Sequence, residues 1–183
     1  MKPEQMTYNV EIPAGIALNI DSDGIFTIKG AKGELKRKFV FPKITITKQD
    51  SHVSFVAKKP TKREKAMIFT TEAHLKNMFK GAAEGCIYKL KICSGHFPMK
   101  VTLKGNVFEV KNFMGETVAR TLKIKPGVDV KIAEPEIIVS APDKELASQT
   151  AASIEQVTRR VAFDRRIFQD GIYITSKDGV EIK

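Results

Sequence analysis

The sequence predicts an α+β protein of two tandem similar domains, each a small, mostly antiparallel β-sheet with one α-helix packed on it. Three observations predict this. The chain repeats itself once, at a steady offset of 82 residues. Its strand-like segments alternate apolar and polar side chains and are joined by polar turns too short for a parallel crossover. Each copy then runs through a proline, Pro60 or Pro142, into one amphipathic helical pattern.

The repeat fixes the organisation. Ile25-Phe26-Thr27-Ile28-Lys29, a turn and Gly33-Glu34 answer to Val107-Phe108-Glu109-Val110-Lys111, a turn and Gly115-Glu116. Lys43-Ile44-Thr45-Ile46 and Val53-Ser54-Phe55-Val56 answer to Gly127-Val128-Asp129-Val130 and Ile137-Ile138-Val139-Ser140. Two copies about 80 residues apart mean duplication, because a solenoid shows shorter and more numerous repeats.

In the first copy, strands are expected at 17–20, 26–29 and 44–47. Asp21-Ser22-Asp23-Gly24 and Lys48-Gln49-Asp50-Ser51 supply hairpin turns. Gly30-Ala31-Lys32-Gly33 has the G-x-x-G form that one RNA-binding fold uses to clamp backbone between two helices. Strands flank it here, so it reads as a tight strand-to-strand turn. Thr61 and Glu64 form a T-x-x-E capping box, and Ile68, Thr71, Leu75, Met78 and Phe79 then fall on one helix face. Gly81-Ala82-Ala83-Glu84-Gly85 breaks that helix, which divides the chain into domains 1–82 and 83–183.

The second copy opens on Ile87-Tyr88-Lys89-Leu90-Lys91-Ile92, whose alternation sends Tyr88, Leu90 and Ile92 to one face and Lys89 and Lys91 to the other. Lys100, Thr102 and Lys104 likewise oppose Val101 and Leu103. Gly105-Asn106 and Glu134-Pro135-Glu136 are turns. Asp143 is a helix N-cap, and Ala147, Ala151, Ile154, Val157 and Val161 form the apolar stripe that follows it. Arg159 and Arg160 are expected near the end of this helix, complementing its dipole.

Composition narrows the function. Without a run of about 20 apolar residues, no membrane-spanning helix is expected. The start lacks the charged-then-apolar order of a signal peptide, so a cytoplasmic location is expected. Cys86 and Cys93 are too few for a disulfide framework and, seven residues apart on one strand, point to opposite faces. No phosphate loop, nucleophile elbow or dinucleotide fingerprint is present. The three histidines suggest no catalytic or metal site. Cys86, Cys93, His96 and His74 lack the paired spacing of a zinc knuckle. No enzyme, cofactor, metal or small-molecule substrate is expected, and no membrane partner.

Charge supplies the positive clue. The net charge is +10 and the pI about 9.6, which suits a polyanionic partner. It is unevenly spread: residues 1–28 carry one Lys and four acids, whereas 29–65 carry twelve Lys/Arg against three acids. Residues 76–131 carry eleven against four, and 143–183 seven against seven. With one sheet face in the core and the other cationic, the expected contacts are to phosphates, which give affinity without reading sequence.

Several segments resemble one family, the large-subunit ribosomal protein L6 in its archaeal and eukaryotic branch. They are Ala73-His74-Leu75-Lys76-Asn77-Met78 with Gly81 and Gly85, then His96-Phe97-Pro98, and Asn112-Phe113-Met114-Gly115-Glu116 with Arg120. The longest are Gln149-Thr150-Ala151-Ala152-Ser153-Ile154-Glu155-Gln156 and Phe168-Gln169-Asp170-Gly171-Ile172-Tyr173-Ile174. They run in the family's order over nearly the whole chain. Ala and Cys between Gly81 and Cys86, and Met114 in place of Leu, are small departures that alter packing.

The resemblance implies a duplicated protein with a structural, non-catalytic role on the large ribosomal subunit. It implies a place near the translation-factor-binding region and the sarcin–ricin loop, with the C-terminal half the main rRNA-binding domain. The implied partners are large-subunit rRNA, neighbouring large-subunit proteins and translation factors nearby. With the charge pattern, it makes Lys89, Lys91, His96, Lys100, Lys111, Arg120, Gln149, Arg159, Arg160, Arg165, Arg166 and Gln169 the expected RNA-binding residues. For the arginines, the structural alternative is an ion pair with Asp164 or Asp170. Gly171 is expected to meet a backbone requirement at a turn.

Overall fold

A computed structural model describes residues 5–49, 51–164 and 166–182. The chain forms two compact units, Met1–Gly85 and Cys86–Lys183. The first contains β1 (Gln5–Glu11), β2 (Ala17–Ile20), β3 (Ile25–Gly30), β4 (Gly33–Lys38), β5 (Ile44–Gln49), β6 (His52–Lys58) and α1 (Lys62–Ala83). The second contains β7 (Cys86–Cys93), β8 (Lys100–Lys104), β9 (Val107–Lys111), β10 (Arg120–Lys123), β11 (Asp129–Ala133), β12 (Glu136–Ala141), α2 (Lys144–Val157), β13 (Gly171–Lys177) and β14 (Val180–Glu181). Among the described residues no helix is long and apolar enough to cross a membrane.

The sequence repeat is a structural repeat. In the first unit, β1-β6-β5 and β2-β3-β4 make two three-stranded antiparallel sheets. In the second, β7-β12-β11 and β8-β9-β10 reproduce them. Registers match as well: Tyr8 opposes Phe55 and, 82 positions on, Leu90 opposes Ile137. Among the described residues, each unit therefore carries two small sheets and one α-helix. The second unit adds β13 and β14 beyond β7, giving the order β11-β12-β7-β13-β14.

Alternation explains both cores. Phe26 and Ile28 of β3 point inward and are fully buried, as are Phe108 and Val110 of β9 to within 1%. Phe55, Ile68 and Leu75 complete the first core, and Leu90, Ile137, Ile154 and Ile172 the second. Helix α1 starts as its sequence dictates. Thr61 accepts from the Arg63 amide at 3.3 Å, and the Thr61 amide donates back to Glu64 at 2.8 Å. The Thr61 hydroxyl also bonds to Glu64. These bonds, led by that of the hydroxyl, hold the Glu64 carboxyl below its ordinary range.

The G-x-x-G segment is the two-residue turn between β3 and β4, with Gly30 opposite Gly33. A Cβ on Gly30 would lie 2.4 Å from the Ala82 carbonyl oxygen, which instead accepts the Lys32 amide at 2.9 Å. The turn is thus docked on the end of α1.

Three local expectations are corrected. Helix α2 ends at Val157 with Thr158 as its C-cap, so Val161 is not on the apolar stripe; it is 83% exposed. Arg159 and Arg160 follow the helix rather than lying in its last turn, which contains no basic residue. Gly171 does not serve a turn. It opens β13 without a left-handed φ, and a Cβ there would meet the Tyr173 hydroxyl at 3.1 Å.

Candidate nucleic-acid interface

The helix α2 terminus shows what replaced the expected dipole partner. Arg120, at the start of β10, donates from Nη1 to the Val157 carbonyl at 2.7 Å and the Arg159 carbonyl at 3.1 Å. A cation from a distant strand therefore satisfies the helix end. Its Nε and Nη2 donate to Glu116 Oε2 and Oε1, both at 2.7 Å. The paired fork of a guanidinium on a carboxylate is the strongest geometry available to these groups. Arg120 holds the Glu116 carboxyl below its usual range. The guanidinium also stacks 4.5 Å over Phe113.

This clamp joins three loops. The first is 94–99, the second 112–119 and the third 158–164 with 166–170. The Asn112 side chain donates to the Pro98 carbonyl at 3.1 Å, linking the first two. Gly115 lies against Phe97, and its φ of +80° falls in the left-handed region that residues other than glycine rarely adopt. Arg160 approaches Glu116 at 4.0 Å, linking the second and third.

Asp170 links the first and third. Its carboxylate accepts the Gly95 amide at 2.7 Å, the His96 amide at 3.1 Å and His96 Nδ1 at 3.2 Å. Burial pushes this carboxyl up, but the Gly95 amide, the His96 side chain and the amides of His96 and Phe97 outweigh it. The result lies below the ordinary carboxylate range. Asp170 is therefore engaged by loop 94–97.

Around this frame the side chains form a cationic and aromatic surface. Arg160 stacks 4.4 Å over Phe163, Phe163 meets Phe168 edge-on at 5.2 Å, and Phe168 lies 5.3 Å from the His96 ring. A pocket of about 390 Å³ opens among Arg159, Arg160, Phe163, Phe168, Glu155 and Tyr173. Phe97, Phe163 and Ile167 are substantially exposed. Arginine beside exposed aromatic rings suits unstacked bases and phosphates together.

The expected residues fall into groups. His96, Arg120, Arg159, Arg160, Arg166 and Gln169 lie in or against the three joined loops. Arg166 forms a forked pair with Asp164, with its shortest contact at 2.8 Å, and Gln169 donates to the Arg166 carbonyl at 3.3 Å. Lys100 and Lys111 face each other across β8 and β9, at the strand ends that feed the first two loops. Lys89 and Lys91 are exposed on the outer face of β7, where Lys91 stands opposite Tyr173. Gln149 sits apart on α2 and accepts Lys125 Nζ at 2.6 Å. Arg165 lies outside the described residues.

Sequence reasoning did not single out Glu116, Asp170, Phe163 and Phe168 as parts of one surface. The recurring Arg-plus-Phe composition of 159–168 was the available signal. Among the described residues, no three His, Cys, Asp or Glu side chains gather as metal ligands. Cys86 and Cys93 are not joined by a disulfide.

Comparison with known proteins agrees with this architecture. The family model for ribosomal protein L6 matches twice, over residues 12–85 and 97–171, one match in each unit. The chain is 45% identical over 170 residues to the large ribosomal subunit protein uL6 of Methanococcus vannielii, covering 93% of each chain. It is 42% identical over 174 residues to that of Methanosarcina mazei, covering 95% of this chain and 98% of the relative. The chain belongs to the ribosomal protein L6 family.

Proposed function

We propose that this chain, a structural and non-enzymatic constituent of the large ribosomal subunit, binds large-subunit rRNA chiefly through its C-terminal unit, Cys86–Lys183. The region bound is the one near the translation-factor-binding surface and the sarcin–ricin loop. Family membership supports the coarse assignment, and its setting is the cytoplasmic ribosome. The observation that carries the finer one is the joined set of three loops bearing His96, Arg159, Arg160, Phe163 and Phe168.

The division of labour follows from chemistry. Arg159, Arg160 and Arg166 present planar, permanently charged groups that fork onto phosphate oxygens. His96 and Gln169 stand beside them as polar contacts. Lys89, Lys91, Lys100 and Lys111 supply phosphate attraction from the strands, and Gln149 would make a separate polar contact from α2. Arg120 acts through the loops it clamps, since four of its five N–H donors are already used within the unit. Neighbouring large-subunit proteins are its further partners.

The test is sedimentation of the tagged chain through sucrose at moderate salt. The chain is expected with free large subunits and intact ribosomes, and a soluble pool alone would overturn the assignment. Chemical probing of the rRNA in those subunits, with and without Arg159→Ala and Arg160→Ala, then tests the finer one. Protection near the sarcin–ricin loop is expected to weaken in the variant; an unchanged footprint would overturn it.

A further inference from the structure

The two units differ most at one matching edge. In the second, β7 is an inner strand, with β12 on one side and β13 on the other. Its counterpart β1 pairs with β6, and the three-stranded order β1-β6-β5 leaves it at the sheet edge. Side chains that β13 and α2 cover in the second unit are correspondingly less covered in the first. Tyr88 and Leu90 are buried, whereas Met6 and Tyr8 at the matching places are only half-buried. A groove of about 650 Å³ runs between β1 and α1, lined by Tyr8, Val10, Ile12, Phe79 and Ala83 among others. In the second unit, β13 packs against both β7 and α2.

Backbone direction completes the match. The Ile92 amide points to the β12 side, donating to the Pro135 carbonyl at 2.8 Å, so alternation turns the amides of Lys89 and Lys91 toward β13. The Ile87 carbonyl indeed accepts from Asp178 on that side at 2.9 Å. In the first unit, the Ile12 amide donates to the Ser51 carbonyl at 2.9 Å, on the β6 side. Alternation then turns the amides of Thr7, Asn9 and Glu11 outward, along the open edge.

We infer that the β1 edge and its groove accept one extended peptide strand from a neighbouring protein of the large subunit, antiparallel to β1 as β13 is to β7. The assignment of the neighbour rests on the family reading above. The chemistry of the strand follows from the template: Ile172 and Ile174 of β13 oppose Ile92 and Leu90, so apolar β-branched residues at alternate positions would face the groove. Main-chain bonds to Thr7, Asn9 and Glu11 supply affinity, and the groove supplies selectivity. A peptide fits better than RNA. Residues 1–28 carry one Lys against four acids, and in the groove Glu11, Glu72 and Glu84 outnumber Lys76 and Lys80, with Lys76 already paired to Glu72 at 2.6 Å, so the edge offers phosphate no net positive charge.

Hydrogen–deuterium exchange of the full chain, free and assembled in the large subunit, tests this. The outward amides of Thr7, Asn9 and Glu11 should exchange freely in the free chain and at least ~10-fold slower in the subunit. A photo-crosslinker replacing Thr7 should attach to a protein of the subunit, and the captured segment should alternate apolar residues. Asn9→Pro removes one outward amide at an edge position that tolerates proline. It should still enter the subunit but lose most of the added protection. Equal rates in both states, protection already complete in the free chain, or a crosslink to rRNA or to a second copy would each overturn the inference. A chain that never enters the subunit overturns the family-based role and this inference together. Entry with β1 still exchanging freely overturns only this one.

Discussion

Phe26 and Phe108 occupy matching places in the two units, 82 residues apart, and both are fully buried. Directly after the strands that carry them, the resemblance fails. The first unit turns from β3 to β4 in two residues docked on α1, whereas the second runs through residues 112–119 before β10 begins. That connection carries Glu116, whose carboxylate fixes Arg120 and meets Arg160. The second unit also spends β13 on the edge that the first leaves open. Duplication thus preserved the cores and freed the edges to diverge, and the proposed interface lies in what only one copy has.

The sharpest way to break this comparison is to remove the matching phenyl rings. Phe26→Ala and Phe108→Ala should each destabilise their own unit by about 3–5 kcal/mol, because each opens a cavity in a closed core. Amide exchange should rise within the altered unit while the other unit keeps its protection. Equal loosening of both units by either substitution would show that the two cores form one cooperative body.

Those phenylalanines also mark how far the sequence was legible. Period-two alternation found β2, β3, β5, β7 and β8, and the capping box found the start of α1, because these signals are local. The end of α2 was not legible in that way. Val161 continues the helical spacing, yet Thr158 ends the helix: its hydroxyl donates to the Glu155 carbonyl at 3.1 Å and accepts the Ile172 amide at 3.0 Å. A strand 14 residues away thereby sets the helix boundary. Arg120 poses the same problem for the site. Its motif was visible, but its partners Val157 and Arg159 come from a segment 37 and 39 residues distant.

Arg120→Ala is the next largest test, aimed at a device the first unit lacks. It removes charge-assisted bonds to Glu116 and leaves two helix-end carbonyls without this donor. The expected cost to the second unit is about 2–3 kcal/mol, read by urea denaturation. Arg120→Lys should recover little of it, because an ammonium cannot fork onto Glu116 and reach both carbonyls. Full recovery by lysine would mean that only the charge matters.

The neighbouring carboxyl gives this clamp a pH signature. The folded Asp170 carboxyl titrates below its unfolded value, so its contribution is present above the unfolded value and is lost as pH falls through the folded one. Loop 94–97 should therefore loosen only on the acid side of the ordinary carboxylate range, as followed by the amides of Gly95 and His96. Asp170→Asn should abolish that acid transition. Its persistence would assign the transition to another group.

A smaller effect tests the device that the first unit does have. Thr61→Ala removes the hydroxyl of the α1 capping box and should cost about 1 kcal/mol in the first unit alone. Thr61→Ser should restore most of it, since serine caps equally well.

The smallest change in stability carries the most information about binding. Lys89 and Lys91 lie exposed on one face of β7, as Lys36 and Lys38 do on β4. Replacing either pair by glutamine should alter stability by no more than about 0.5 kcal/mol. Binding should respond differently if the C-terminal unit makes the main phosphate contacts. Lys89→Gln with Lys91→Gln should reduce the salt dependence of rRNA binding by a slope of roughly 2, about 1 for each lost phosphate contact. Lys36→Gln with Lys38→Gln should leave that slope nearly unchanged, although the net charge falls equally. Equal reductions would mean that the lysines act as a diffuse field over both units, and the loop arginines alone would then distinguish the second unit from the first.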